Sequence, residues 1–360
     1  MTMKAAVLKA FGAPLALETL PDPVLGTGEV VVEVVATRVL SYANEVFSGE
    51  RRYLLELPSV PGPGAIGRVR ALGPDATRLA VGDWVYCDPT VRARDDALAP
   101  DIALQGWSAG SEGGLRLQRH FRHGAFAELM RVPTENAKPL GPIEAAEAVR
   151  WCALGTLLVS YGGFLAAGLE PGETVLVSGA TGNFGSGAVA VALAMGAGCV
   201  VAPGRNEAAL ADLARRFGPR LRTVRLGGVE AEDGERMRRA APGPIDCVLD
   251  ILPPSAGTAP VRAAAMTVRP RGRIVLMGGV GSLGEDLGLP YRWIMRNDIT
   301  VRGAFMYPPD AAVGLIRLVR AGLLDLGHFT VVPFSLEQAN EAVAHAAANG
   351  GPFKMTVIRP

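Results

Sequence analysis

Residues 173–206 read ETVLVSGATGNFGSGAVAVALAMGAGCVVAPGRN, and the order of residue types in this stretch decides how the rest of the chain is read. Thr174–Val177 is a short, β-branched apolar run of the kind that forms a buried strand. Ser178-Gly179-Ala180-Thr181-Gly182-Asn183-Phe184-Gly185 follows, small residues at helical spacing continue to Ala197, and Cys199–Ala202 is apolar again. The order is strand, glycine turn, helix, strand.

Glycines at 179, 182 and 185 are explained if a dinucleotide pyrophosphate rests on the helix N-terminus. One permits the tight turn, one lets backbone N–H groups approach phosphate, and one lets helix and strand pack closely. A glycine triplet alone carries little weight, and a merely glycine-rich turn is the competing explanation; the flanking strands and helix favour the dinucleotide. Ala180, Thr181, Asn183 and Phe184 complete the expected contact loop, with Gly279 further along the chain. The far end of the stretch bears on which nucleotide is taken. An NAD site ends its second strand with Asp or Glu about twenty residues after the last glycine, to bind the ribose hydroxyls. Here that place holds Gly204-Arg205-Asn206, which suits a 2′-phosphate. NADP(H) is the expected cofactor, with NAD(H) possible if Glu207 serves the ribose.

A length of 360 residues is long for one core and suggests two domains. A formal net charge of +1 gives neither a nucleic-acid footprint nor an acidic tail, so small molecules or further copies of the chain are the expected partners. Cys87, Cys152, Cys199 and Cys247 are scattered without a CxxC pair, as suits free thiols in a reducing cytoplasm. The N-terminus lacks an apolar signal core, and the longest apolar run, 187–202, is short of a membrane span.

In chain order, Ala5–Leu8, Glu29–Val35, Ile66–Ala71 and Asp83–Cys87 read as strands separated by Gly and Pro turns, which implies a small antiparallel barrel or sandwich. Residues 88–124 read as a long charged loop. Ala145–Ala167 is helical in pattern. After Asn206, helices at Glu207–Phe217, Ala231–Ala240 and Ala259–Val268 alternate with strands near Arg222–Arg225, Cys247–Leu252, Arg273–Met277 and Ile299–Phe305. That alternation predicts an α/β doubly wound parallel sheet of six strands. Helices at Pro309–Ala321 and Leu336–Ala348, with strands near Thr330–Val332 and Lys354–Ile358, are expected to return to the barrel.

A β-rich N-terminal half, Gly82-Asp83 heading a strand, the Gly179/Gly182/Gly185 turn and the closing Gly351-Pro352-Phe353-Lys354 together resemble the medium-chain dehydrogenase/reductase superfamily. The stretch 178–186 is especially similar to the turn of its zinc-free quinone and enoyl reductases. The resemblance covers essentially the whole chain. It implies a GroES-like catalytic domain from 1–145 and 309–360, a Rossmann domain from 146–308, and a homodimer paired through Ile299–Phe305. It also permits a position-by-position check for the catalytic zinc of the family's alcohol dehydrogenases. The matching ligand positions are Leu40, Pro63 with Gly64, and Gly155, none of which binds a metal. Cys152 lies three residues from the expected place, and the loop after Cys87 has no close cysteines. The spacing of His120 and His123 is read as two surface histidines of an Arg-rich loop. No zinc is expected.

Without a metal, ordinary side chains must stabilise the oxygen that gains charge when hydride is transferred. The positions matching the family's hydroxyl donor and proton-relay residue hold Tyr42 and Glu45, the expected catalytic pair. A phenol can donate a hydrogen bond to a carbonyl oxygen; packing for Tyr42 and helix capping for Glu45 are the competing roles. A substrate pocket is expected to draw on Leu40, Phe47, Pro63, Val159 and Phe305, with Trp107 or Trp293 closing over an apolar substrate. Three activities are consistent with these features: NADPH-dependent reduction of an apolar enone, quinone or ketone, metal-free alcohol oxidation, and nucleotide binding with little turnover.

Overall fold

Val30, Val32 and Val34 fall on one face of a long strand, Glu29–Val39, because side chains alternate along extended backbone. That face joins Ala65, Val69, Val85, Met130 and Val132 in a closed apolar cluster. The strand is the spine of a seven-stranded sheet, pairing antiparallel with Ala65–Leu72, Leu129–Pro133 and Lys354–Arg359. Trp84–Cys87 and Ala137–Pro139 extend one edge, and Thr330–Ser335 lies parallel to Lys354–Arg359 at the other. Register shifts between Val31 and Val32 and between Val34 and Ala36 bend the spine strand.

The computed structural model describes residues 1–360, the side chain of Leu283 excepted. Met1–Gly155, Leu326–Gly350 and Lys354–Pro360 form one compact unit, and Thr156–Asp325 with Gly351–Phe353 form a second. The second unit is built on six parallel strands in the order Leu221–Arg225, Cys199–Gly204, Thr174–Ser178, Ile245–Asp250, Val268–Leu276, Thr300–Gly303. The two strands at its centre are buried at Val175–Val177 and Cys247–Leu249, which is why they read as unbroken apolar runs. The order of strand addition reverses beside Thr174–Ser178, where an open α/β sheet leaves a crevice at its carboxyl edge. Among the described residues no single helix is long and apolar enough to cross a bilayer.

Several expected elements differ from those observed. Residues 88–124 are not a loop: they form a three-stranded sheet of Thr90–Arg92, Ile102–Leu104 and Ser108–Ala109, then a helix, Glu112–His120. Strands of two or three residues are too short to show alternation, and Gly113 and Gly114 argue against a helix. Those glycines are there because a Cβ would lie 1.8 Å from the Asp101 carboxylate at one and 2.4 Å from the Ile102 carbonyl at the other. The expected helix Ala145–Ala167 is interrupted at Cys152–Ala153, between Ala148–Trp151 and Leu154–Ala167. The last strand of the parallel sheet ends at Gly303, so Phe305 lies beyond it with 65% of its surface exposed.

The two histidines of the 88–124 segment also divide. His120 is largely exposed, while its Nε2 lies 2.5 Å from the carboxylate of buried Glu29. His123 is half-buried, not a surface residue, and its Nδ1 accepts from Val60 N–H at 3.4 Å. Burial, reinforced by Arg122 and Arg131, pulls its imidazole below the ordinary histidine range. Through His120, Glu29 ties this segment to the sheet, and its carboxylate also accepts from Gly26 N–H at 2.7 Å and lies 3.4 Å from Arg131.

Glu29→Ala removes the acceptor for these groups and is expected to cost about 1–3 kcal/mol. Chemical denaturation checks it, and an unchanged midpoint would show that the 88–124 segment is held by other contacts.

Candidate functional site

The turn after Thr174–Ser178 is shaped by backbone contact alone. Gly179 has a φ of +100°, a conformation that favours glycine. Gly182 N–H donates to the Gly179 carbonyl at 2.9 Å, and a Cβ on Gly185 would fall 1.9 Å from that same oxygen. The helix Asn183–Ala194 therefore starts directly on the turn. It has no acidic residue in its first turn, and its N-terminal N–H groups and dipole suit an anion. Ser160 Oγ donates to the Phe184 carbonyl at 3.2 Å, and Ser186 Oγ accepts from Phe353 N–H at 3.0 Å, fixing the helix start from two sides.

The strand Cys199–Gly204 delivers its last residue to the same place. A Cβ on Gly204 would lie 2.4 Å from Thr181 Cγ2, so a larger residue there would have to move the Thr181 side chain. Arg205 is exposed beside it, and Asn206 Oδ1 caps the next helix by accepting from Ala209 N–H at 3.0 Å. Arg225, in register with Gly204 on the neighbouring strand, pairs with Glu207 at 3.0 Å. Sequence reading missed this second arginine, because nothing local shows that residues 204 and 225 lie side by side.

Asp250 ends the next strand and is almost wholly buried. Burial raises its carboxyl to about 6, although N–H groups of Leu252 and Gly278 and the Ser178 hydroxyl hydrogen-bond to it. Gly278 makes room, since a Cβ there would lie 2.3 Å from Asp250 Oδ2. At Gly279 a Cβ would meet the Pro254 ring at 2.7 Å. Val159 is half-buried on the helix Leu154–Ala167.

In the first unit, Leu40, Phe47 and Pro63 are buried, and Tyr42 immediately precedes the short helix Ala43–Phe47. Trp107 meets both aromatic rings edge-on, with centroids 5.7 Å from Tyr42 and 5.9 Å from Phe47. Trp107 thus packs against expected site residues, whereas Trp293 packs on the core of the parallel sheet. The guanidinium of Arg51 lies 4.1 Å from the Tyr42 ring centroid and is held by Glu45 at 2.6 Å. Glu45 makes no capping bond; its carboxylate steadies Arg51.

The Tyr42 side chain is partly exposed as a whole, but its hydroxyl lies deep, and burial drives the phenol up to about 12. Tyr53 adds to the rise, while Arg38, Arg51 and a hydrogen bond from Trp107 oppose it. At neutral pH this hydroxyl is a donor.

The positions that the resemblance matches to zinc ligands do not fit a metal. Leu40, Pro63, Gly64 and Gly155 have no donor side chain, and among the described residues no three His, Cys, Asp or Glu groups gather as a site. Burial pushes the Cys152 thiol up to about 12, and its Sγ contacts the Ala148 carbonyl at 3.6 Å. Sequence reading also missed Arg38, whose buried guanidinium lies where a Cβ of residue 155 would be, 2.7 Å from that point at Nε.

Two measurements follow from this geometry. Gly185→Ala should lower stability by about 1–3 kcal/mol through overpacking, whereas Gly182→Ala, whose Cβ would stand 3.4 Å from the Gly179 carbonyl, should leave the melting temperature nearly unchanged. Equal melting temperatures for both variants would contradict the close contact. For Asp250, a folded value near 6 against an ordinary carboxylate near 4 means the fold favours the protonated form. Its destabilising effect is absent below both values, grows as pH rises through the interval, and is complete above 6, at about 3 kcal/mol. The stability of Asp250→Asn relative to wild type should therefore rise between pH 4 and pH 7 by denaturant titration; a fall would contradict the shift.

Residues 26–142 match the family described as the alcohol dehydrogenase GroES-like domain, and residues 184–321 match the family described as zinc-binding dehydrogenase. The chain is 24% identical over 355 residues to sorbitol dehydrogenase of Bacillus subtilis, across 96% of this chain and 93% of that one. It is 25% identical over 323 residues to acryloyl-coenzyme A reductase of Metallosphaera sedula, across 89% of this chain and 90% of the other. The solved structure of a thermostable alcohol dehydrogenase from Pyrobaculum aerophilum superposes over 100% of both chains with a TM-score of 0.76 at 24% identity, a likeness of fold. The glycine turn, the strand order and these matches converge: the chain belongs to the medium-chain dehydrogenase/reductase superfamily of oxidoreductases, with a GroES-like domain and a Rossmann-type parallel sheet.

Proposed function

We propose that this oxidoreductase works without zinc, uses NADP(H), and delivers hydride to an apolar enone, quinone or ketone. The observation that carries the reading is the Tyr42 hydroxyl, held protonated by burial and oriented by Trp107 at a site whose matched ligand positions have no metal donors. A relative that reduces acryloyl-coenzyme A supports an acceptor in which C=C is conjugated to C=O. Sorbitol dehydrogenase as another relative supports the second reading, reversible oxidation of an alcohol.

Gly179, Ala180, Thr181, Gly182, Asn183, Phe184 and Gly185 would hold the pyrophosphate through backbone N–H groups, with Gly279 nearby on the chain's later turn. Gly204, Arg205 and Asn206 would receive the 2′-phosphate, Arg225 adding a second cation and Asn206 offering its amide N–H₂ while its oxygen caps the helix. Bound there, the nicotinamide supplies the hydride.

The chain's own part is to stabilise the oxygen. As hydride reaches the acceptor, negative charge builds on that oxygen, and the Tyr42 O–H donates to it. With a phenol near 12, transfer of the proton itself is favourable only to a more basic alkoxide, so for an enolate the hydrogen bond is the larger contribution. Glu45 does not relay a proton in this scheme. It fixes Arg51 across the ring and limits the motion of the phenol. Leu40, Phe47 and Pro63, buried in the same unit as Tyr42, would supply apolar surface to the acceptor. We further propose a cytoplasmic homodimer. Buried free thiols at all four cysteines suit a reducing compartment, and the edge strand Thr300–Gly303 is exposed along its length.

Steady-state reduction of a panel of quinones, enones and ketones tests the reading. NADPH should exceed NADH in kcat/KM by one to two decades, and Arg205→Ala should erode the difference, as expected for a charge-assisted hydrogen bond of about 1.5–3 kcal/mol. A preference for NADH would overturn the cofactor assignment. Tyr42→Phe should lower kcat by about 10²-fold with little change in KM for NADPH; full retention would leave Tyr42 as packing only.

A further inference from the structure

Arg225 Nε and the Glu207 carboxylate meet at 3.0 Å, although 18 residues separate them in the chain. Parallel pairing puts Arg225 in register with Gly204, and the next N–H, that of Leu226, donates to the Gly204 carbonyl at 2.9 Å. Glu207 arrives from the other direction, as the first residue of the helix Glu207–Phe217, three positions beyond Gly204. Both charges are thus held at the end of one strand. That end lies against the glycine turn, since a Cβ on Gly204 would stand 2.4 Å from Thr181 Cγ2 and 3.1 Å from Thr181 Oγ1.

The arginine is the better anchored of the two. Its guanidinium also donates to the Leu226 carbonyl at 3.0 Å, and the chain that follows is tied down where the N–H groups of Gly227 and Gly228 donate to the Asp233 carboxylate at 2.7 and 2.8 Å. The Glu207 side chain is 79% exposed, and Arg225 is its one side-chain partner among the described residues. A pair so open to water contributes little to stability. Its effect is on charge: Arg225 stands at the strand end already neutralised, while Arg205 is exposed on the other side of Gly204.

We infer that Glu207 is an internal competitor for the 2′-phosphate of the cofactor: its carboxylate occupies Arg225 until the phosphate displaces it, and so narrows the preference for NADP(H) over NAD(H). The inference rests on the proposed NADP(H) reading of this strand end and adds the residue that limits that preference. A phosphate monoester carries close to two negative charges at neutral pH and, beside Arg225, would meet Glu207 as a like charge. Binding therefore exchanges one anion for another on the same guanidinium, and Glu207 turns out to water. A 2′-hydroxyl demands no such exchange. The cost of moving Glu207 falls on the phosphorylated cofactor alone.

The test is calorimetric titration of the full chain with 2′,5′-ADP and with 5′-AMP, two fragments that differ only in the 2′-phosphate. The ratio of their affinities should favour 2′,5′-ADP in wild type, rise about fivefold in E207Q and fall in R225M, the modest size reflecting an exposed pair. In the double variant the E207Q gain should vanish, because the cation that it frees is gone. A ratio that is unchanged or lower in E207Q, with 2′,5′-ADP still preferred by wild type, overturns the inference and leaves the NADP(H) reading standing. A gain of equal size in the R225M background also overturns it, since Glu207 would then act without Arg225. If neither wild type nor E207Q prefers 2′,5′-ADP, the NADP(H) reading has failed and the inference falls with it. Should R225M not fold, R225Q replaces it with the same expected signs.

Discussion

The contact between the Gly185 α-carbon and the Gly179 carbonyl is the constraint on which the second unit depends. A Cβ would stand 1.9 Å from the oxygen, so helix and strand meet with no side chain between them. Close approach then propagates. The helix must present small residues to the sheet, and Gly185, Ser186, Gly187, Ala188 and Ala190 are all buried along it. Gly204 lies close against Thr181, and Arg205 and Arg225 flank it, one beside it on the chain and one in register on the neighbouring strand.

The first unit solves a different problem, how to keep a neutral phenol and an arginine ordered near one another. Arg51 is handled at the surface, where Glu45 pairs with it and the Tyr42 face accepts it. A single, partly exposed pair of this kind contributes modestly to stability, about 1 kcal/mol, so its main effect is orientation. Trp107 does more, since its indole is buried and packs edge-on to both Tyr42 and Phe47. The segment carrying Trp107 is anchored separately. Gln105 donates to the carbonyls of His123 and Arg131 at 2.9 and 2.7 Å, and Glu29 gathers His120 and Arg131.

The parallel sheet was legible in the sequence because its central strands are buried on both faces and its first turn needs glycine, two constraints that act locally on residue type. The 88–124 segment was not legible. Its strands are too short for periodicity, and Gly113 and Gly114 answer to Asp101 and Ile102, contacts that no window of sequence contains. The same limit applies to the candidate site. Tyr42 and Glu45 could be singled out by position in a pattern, but the pairing of Glu45 with Arg51, the edge-on packing of Trp107 on Tyr42 and the guanidinium of Arg38 against Gly155 arise from tertiary placement. Arg225 beside Gly204 is a consequence of strand register, which local residue types do not announce. Phe305 illustrates the reverse error, an apolar residue assigned to a strand that ends two positions earlier.

The central claim is hydride transfer supported by side chains in place of a metal. Measuring bound zinc in the purified protein and its NADPH-dependent reductase activity before and after exhaustive chelation tests this most directly. The account predicts zinc well below one equivalent and a rate unaffected by chelation or by added zinc. Loss of activity on chelation, restored by stoichiometric zinc, would contradict it.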